Sequence, residues 1–437
     1  MSSSFSNLRL REIGATVPVR SSAGTPLKVL VSCFAFSPVK GSEFATGWNY
    51  VQAIARRHKV WLITRSNEKE ETEQFLREHP GLMPNLTIHY IPWTESDFKY
   101  PLNEIPHYFL YRHWQWRAYL LGRSLDAQID FDLVHHVNAT GFREPGYLWK
   151  IDKPFVWGPV GGLQYFPVQL LNALPFAAWP YFLAKNFFNF WAMRTSRRPR
   201  VAAARAAAII AGTSLAAERI QALWGRTSYR LCEVSAPERS SAPPARRLPG
   251  EPFRIVWSGR FVPGKAFNIV LLALECFNRH TTNWELICVG DGKLMGRWKR
   301  LAATLGIADH CKFLGRVPRE EAVAALAGGH CFVQPSLYDA TSSVVVEALA
   351  MGLPVVCLNH FGFKDAVSES CGIRIEPCNL RQVVRDFASA FGVLEQDEEA
   401  RYRKALAAQK ASLEYTWMYK SQALHAIYET IVHCAAT

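Results

Sequence analysis

Two acids, Asp339 and Glu347, stand with seven residues between them in the stretch CFVQPSLYDATSSVVVEALAMGLPVVCLN. One carboxylate accepts two hydroxyl hydrogen bonds at once, and a helix start attracts anions, so two carboxylates on either side of such a start suit a nucleotide-sugar. The spacing by itself is equally that of two solvated surface acids, so the flanking residues matter. Cys331, Phe332 and Val333 form an apolar run that stops at Gln334 and Pro335, the way a buried parallel strand ends in a loop. Ser342 or Ser343 supplies a helix cap, Val344, Val345, Ala348 and Leu349 follow at near-helical spacing, and Gly352 and Pro354 end the helix. Such a loop lies at the carboxyl end of its strand, where open parallel sheets hold ligands.

Three more places carry residues suited to chemistry. Lys40, Gly41 and Ser42 follow the apolar run LKVLVSCFAF and precede a helix with Phe44, Trp48, Val51 and Ala55 on one face. They bring a cation, a glycine open to close approach and a hydroxyl to a helix start, which suits a phosphate; an ordinary tight turn is the other reading. His135 and His136 end the predicted strand from Leu133 to Val137, and because adjacent strand residues point to opposite faces, at most one of them faces a ligand. The remaining reading is a hydrogen-bonded core histidine. Gly158, Pro159, Gly161 and Gly162 follow the strand from Phe155 to Trp157, in a loop that either presents backbone amides to an acceptor or phosphate or is a plain connection. Asp130 and Asp132 form a DxD, but they precede a strand and read as a polar connection, so no metal is expected.

The elements that must position these groups alternate. Strands are predicted at Val60 to Thr64, Leu86 to Ile91, Ala206 to Ala211 and Tyr229 to Val234, with helical segments between them, one of which, SLAAERIQALWG, is capped by Thr213 or Ser214. A stretch rich in Ser, Pro and Arg, residues 235–252, reads as a linker. Beyond it Phe253 to Trp257, WELICVGDG, CKFLGRV and CGIRIEP supply a second set of strands. Alternating strands and helices imply parallel sheets covered on both faces. The predicted organisation is an arm at 1–24, a first domain at 25–234, the linker, a second domain at 253–414 and a closing helix at 415–437.

PSLYD…EALAMGLPVV resembles the signature of family-four glycosyltransferases, which are retaining enzymes of the GT-B fold. KGSEFATGWNYVQAIARRHKVWLITR, FDLVHHVN and WGPVGG resemble a bacterial subgroup of the same family, so the likeness reaches both halves of the chain. It implies an α/β protein of two Rossmann-like domains with parallel sheets facing an interdomain cleft, and a closing helix that packs back on the first domain. Residue by residue it implies Glu347 on the ribose hydroxyls, Asp339 on the transferred sugar, Arg260 and Lys265 on the donor diphosphate, and Gly315, Arg316 and Val317 around the nucleobase. His136 is implied near the transferred sugar. Two departures stand out. The first acid is Asp339 where the family has Glu, and Ala340, Thr341 and Ser342, ahead of Ser343, replace a glycine-containing run; Ala266 also replaces the glycine that follows the lysine. The expected partners are a nucleotide-sugar donor, bound also by Gly41 and Ser42, and a glycan or lipid-linked acceptor of bacterial surface polysaccharide or glycolipid synthesis, beside Gly161 and Gly162. Neither cofactor nor metal is expected, and fixed cations then have to stabilise the leaving diphosphate. A GT-B sugar-nucleotide epimerase and a non-catalytic, membrane-associated partner in a polysaccharide assembly complex are the alternatives.

Composition agrees with a large globular chain: 437 residues with 49% hydrophobic content have room for two or three domains. Ten scattered cysteines without a CxxC pair fit a reduced, cytoplasmic setting better than a disulfide framework. Residues 1–24 lack a sustained apolar core and read as a flexible arm, not a signal peptide. The formal charge of +13 suits nucleic acid, anionic lipid or phosphorylated substrates. No nucleic-acid-binding module is recognisable, so nucleic acid is not an expected partner. From Gln164 to Arg200 the chain is crowded with aromatics and ends in Arg194, Arg197, Arg198 and Arg200, while Asn172, Pro175, Pro180, Lys185 and Asn186 break it up too often for a membrane-spanning helix. Two readings stand for it: an interfacial segment on the inner face of the cytoplasmic membrane, or aromatics that cover the sheet.

Overall fold

The computed structural model describes residues 9–11, 16–18, 25–93, 104–237 and 243–436. The chain divides into two compact units, one made of Met1–Leu163, Trp191–Glu233 and Trp417–Thr437, the other of Gln164–Phe190 and Val234–Thr416.

The first unit is built on a seven-stranded sheet. Its strands run in the order Leu86–Ile91, Lys59–Arg65, Lys28–Cys33, Leu133–Asn138, Phe155–Val160, Ala206–Ala211 and Tyr229–Arg230, and every pairing is parallel. Strands with helices on both faces have no polar side, which is why Lys28–Cys33 is buried after its first residue and Leu133–Asn138 throughout. The helix Glu43–Ala55 buries Trp48, Tyr50, Val51 and Ile54, and Ala423, Leu424, Ile427 and Tyr428 of Trp417–Ala436 enter the same core. Chain order along the sheet reverses between Lys28–Cys33 and Leu133–Asn138, making a switch point at their carboxyl ends.

The second unit repeats the plan with six parallel strands, in the order Cys311–Gly315, Trp284–Val289, Phe253–Ser258, Cys331–Gln334, Val355–Leu358 and Gly372–Ile375. Here the switch point lies between Phe253–Ser258 and Cys331–Gln334. Trp257, Phe261, Phe267, Trp284 and Trp298 are among the aromatic residues of its core.

Four features differ from the sequence-based expectation. Residues 164–190, expected within the first domain, group with the second, because Phe166, Leu170, Leu174 and Phe182 are buried in the core around Phe253, Ile255 and Trp257. The last strand of the first sheet stops at Arg230 instead of continuing to Val234. Within 1–24, expected as an arm without structure, Arg9–Arg11 and Thr16–Pro18 pair antiparallel; the rest of that stretch lies outside the described residues. Residues 238–242 of the linker also lie outside them, while its other residues are tied down: Ala236 N–H donates to the Tyr415 carbonyl at 3.0 Å and Arg247 pairs with Glu395 at 3.1 Å.

Candidate functional site

At the switch point of the second unit, two loops hold the groups singled out from the sequence. One follows Phe253–Ser258 and carries Arg260, which is exposed, and Lys265, at the end of the short 3-10 turn Pro263–Lys265. The other follows Cys331–Gln334 and carries Asp339. Lys265 Nζ donates to Asp339 Oδ2 at 2.5 Å, and Ser336 Oγ donates to the same oxygen at 2.6 Å. The loops are also joined through their backbones, since Leu337 N–H donates to the Gly264 carbonyl at 2.8 Å. An ammonium with 15% side-chain exposure, bonded to a carboxylate with 23%, is a fixed cation at the mouth of the sheet.

The turn around Lys265 explains one departure from the family pattern. Ala266 adopts φ 45 and ψ 37, a left-handed conformation that glycine takes without strain, and its methyl group is buried in the core. Backbone strain and methyl burial therefore act against each other at this position.

Ser342 occupies the cap position of the helix Ser343–Ala350, with Gln334 Nε2 donating to its hydroxyl at 3.3 Å; its side chain makes no capping bond. Thr341, just ahead, is buried, and its hydroxyl oxygen has no partner among the described residues. The loop is held from behind by Gly362, whose N–H donates to the Ala340 carbonyl at 2.7 Å; a Cβ on Gly362 would come within 1.9 Å of Thr341 Oγ1, so only glycine fits there. Glu347, on the same helix, has 24% side-chain exposure and lies 3.9 Å from the guanidinium of Arg319. Burial pushes its carboxyl upward, and Arg319 opposes that shift.

His360 and Ser336 complete this cluster and were not singled out from the sequence. His360 Nε2 donates to the Ser336 carbonyl at 2.9 Å, which leaves Nδ1 as a buried acceptor without a partner among the described residues. Burial holds the imidazole pKa down to about 4, so it is neutral near pH 7. The available signal was positional: both residues lie just beyond the ends of buried strands on the loop side of the sheet. Gly315 ends the edge strand Cys311–Gly315 with φ 74, and its carbonyl accepts from Gly290 N–H at 2.8 Å; exposed Arg316 and half-buried Val317 follow.

The first unit presents its residues differently. Lys40 and Gly41 are exposed, as is Ser42 at the start of Glu43–Ala55, but Lys40 is already paired with Glu68 at 3.0 Å. Glu68, 2% exposed, also takes two bonds from Arg65, at 2.7 and 2.6 Å. Of the two histidines, His135 is a satisfied core residue, bonded through Nδ1 to the Tyr428 hydroxyl at 2.5 Å and through Nε2 to the Gly158 carbonyl at 2.8 Å. His136 is 1% exposed, with neither ring nitrogen within hydrogen-bonding geometry of a partner among the described residues, and burial holds its pKa down to about 3. Beyond it Glu144, 4% exposed, binds Arg112 at 2.7 Å and also Arg198. Glu144 and Arg112 carry no signal in the sequence, and Arg198 stands there only as part of an arginine run, because the three are far apart in the chain. Gly161 spends its N–H on the Thr140 carbonyl at 2.7 Å and returns a bond by accepting from Phe142 N–H at 3.1 Å, so its amide is not open to a ligand; Gly162 follows with φ 77. Asp130 pairs with Lys153, and Asp132 accepts from the Lys28 amide at 2.6 Å, so both belong to the connection ahead of the strand.

Two parallel sheets of this order, each with a loaded switch point, define an α/β protein of the GT-B fold. Solved structures agree with that assignment: the lipopolysaccharide outer core galactosyltransferase WaaB superposes with a TM-score of 0.63 at 13% identity, covering 92% of this chain and 100% of that one. HepE from Anabaena, in complex with UDP and glucose, superposes with a TM-score of 0.57 at 15% identity, covering 94% and 100%. Residues 238–409, which hold Arg260, Lys265, Asp339 and Glu347, match the family model of glycosyl transferases group 1. Among curated relatives, the D-inositol 3-phosphate glycosyltransferase of Corynebacterium jeikeium is 30% identical over 198 residues, 43% of this chain and 46% of the relative. A GDP-mannose-dependent alpha-(1-6)-phosphatidylinositol monomannoside mannosyltransferase of Mycobacterium tuberculosis is 30% identical over 128 residues, 28% and 33% of the two chains. The matches thus span less than half the length of either relative. No helix among the described residues is long and apolar enough to cross a membrane.

Proposed function

We propose that this protein transfers a sugar from a nucleotide-sugar to a glycan or lipid-linked acceptor, with retention at the anomeric carbon and without a metal. The observation that carries this reading is the meeting of Lys265, Asp339 and Ser336 at the switch point of the second sheet, with Arg260 on the same loop as Lys265. In this reading Arg260 and Lys265 receive the donor diphosphate, Glu347 accepts the ribose hydroxyls, and Asp339 accepts a sugar hydroxyl through the oxygen that Lys265 leaves open. Gly315, Arg316 and Val317 flank the base, and Thr341, Ser342 and Ser343 line the helix start. The bond from the anomeric carbon to the diphosphate oxygen breaks, a bond to the acceptor oxygen forms on the same face, and the acceptor proton passes to the departing phosphate oxygen. A cation already held by a carboxylate needs no reorganisation as charge develops on the leaving group, which is where preorganised electrostatics act most strongly.

Relatives whose names specify GDP-mannose, and a structural neighbour that holds UDP, make GDP- and UDP-sugars the first donors to test. The experiment is calorimetric binding and turnover against UDP-, GDP-, ADP- and dTDP-sugars, with Glu347→Ala beside the native protein. A preference for one nucleotide that is lost in the variant is expected. Turnover of a nucleotide-sugar with no acceptor present would replace this reading with epimerisation, and a folded protein that binds none of them would replace it with a non-catalytic role.

A further inference from the structure

Asp339 is gripped on both sides by a single turn. The carbonyls of Ser336 and Ala340, which flank it, are both claimed by the turn that follows Val355–Leu358: His360 Nε2–H donates to the first at 2.9 Å and Gly362 N–H to the second at 2.7 Å. Between them, the ring of Tyr338 meets that of Phe361 edge-on at 6.4 Å. Three consecutive residues of the turn, His360, Phe361 and Gly362, therefore meet every second residue of the loop that carries Asp339. The turn is itself strained, since Phe361 has φ 50, a left-handed backbone that a bulky residue takes only where its surroundings impose it. Its ring, 7% exposed, lies 4.0 Å from the imidazole of His360, and Phe363 closes on the same imidazole at 5.7 Å.

A side chain locked by packing places its N–H reproducibly, and among the described residues this imidazole makes one hydrogen bond, the one to Ser336. From Ser336 the connection runs on to the charged groups. Its Oγ donates to Asp339 Oδ2 at 2.6 Å, the same oxygen that takes the Lys265 ammonium at 2.5 Å. Moving the Ser336 peptide moves that hydroxyl with it, so the place of the ion pair depends on what holds the peptide. We propose that His360 is a positioning residue for sugar transfer: by holding Ser336 from behind, it fixes Asp339 and, through Asp339, the Lys265 ammonium where charge develops on the leaving diphosphate. Its consequence for turnover rests on the catalytic reading above, while its consequence at Lys265 rests on these contacts alone.

The test reads both in the full-length protein. His360→Gln presents an amide N–H in place of Nε2–H, His360→Asn reaches only as far as Nδ1, and His360→Leu has no donor at all. With the nucleotide-sugar that the native protein turns over, the Asn and Leu variants should lose about tenfold in kcat with KM within about twofold, and the Gln variant should stay within about threefold of native. Independently of turnover, acetylation of Lys265 by a pulse of N-hydroxysuccinimide acetate, followed by mass spectrometry, should quicken at least about threefold in the Asn and Leu variants, because an ammonium freed from its carboxylate gives up its proton more readily. The Gln variant should return that rate to native. Should the Leu variant misfold, as its melting temperature would show, the Asn variant carries the same test. Native kcat in the folded Asn or Leu variant, a loss that Gln does not restore, or unchanged labelling of Lys265 would overturn the proposal. A native protein that transfers no sugar, while Lys265 labelling still follows this pattern, would instead overturn the catalytic reading and leave the hold of His360 on the ion pair in place.

Discussion

The two sheets share one plan of strand order and one kind of switch point, yet their loop ends pair their charges differently. In the first unit the cations at the carboxyl ends are matched within the unit: Lys40 pairs with Glu68, and Arg65 binds Glu68 as well. A second acid, Glu43, is half-buried and accepts from Thr140 Oγ1 at 3.1 Å, and burial pushes its carboxyl upward. In the second unit Lys265 is the paired cation and Arg260 stands exposed beside it. A common fold therefore sets where a ligand can sit, and the side chains of the loops set the charge of that ligand. On the proposed reading, the second switch point takes the anion and the first does not.

That contrast is open to attack, most strongly at Lys265. Lys265→Ala is expected to lower kcat by about a hundredfold or more, the scale for removing one preorganised donor from a developing charge, whereas Lys40→Ala should change it by less than about threefold. Steady-state kinetics on both variants decide this, and equal losses would erase the difference between the units. Glu347→Ala should raise KM for the nucleotide-sugar by about tenfold while leaving kcat nearer native, because a hydroxyl contact remote from the reacting bond is made in ground and transition states alike. A fall in kcat with KM unchanged would move Glu347 to the reacting centre.

Acid should separate the units next. His58 and His136 are pushed down to about 3, and His135 and His425 to about 4, all by burial first and all in the first unit. His330 and His360, at about 4, are their counterparts in the second. A histidine whose folded pKa lies below its unfolded value of about 6.5 takes up its proton on unfolding, so stability is lost as pH falls from about 6.5 towards 4. Hydrogen exchange followed at pH 7 and again near pH 5 should show the core strands of the first unit losing more protection than those of the second. Equal losses would mean that groups other than these histidines govern acid sensitivity. The smallest effect is expected at Ala266→Gly, where relief of the left-handed backbone and loss of a buried methyl group nearly cancel. Its chemical-denaturation midpoint should correspond to a change within about 1 kcal/mol, with turnover unchanged.

Much of this protein is written in short stretches of its chain. Apolar runs that end in polar or glycine-containing loops determine the parallel strands, and because ligands meet such sheets at the strand ends, Lys265, Asp339 and Glu347 are legible as a group from local pattern and family motif alone. What tertiary structure decided are the choices that depend on a partner far away in the chain. Nothing near His135 shows that Tyr428 will bond it and leave its neighbour bare. Lys40 and Lys265 look alike as loop cations until Glu68 and Asp339 claim them in different surroundings. The aromatic stretch after Gln164 divides only on folding: Phe166, Leu170 and Phe182 reach the core of the second unit, while Asn186 and Asn189, on the same helix as Phe182, find backbone partners, and Phe187, Phe188 and Trp191 stay exposed. The physical reason is common to all three. Local pattern fixes which backbone conformation a residue takes, but burial and charge are properties of a place, and a place is made by segments that meet only in the folded chain.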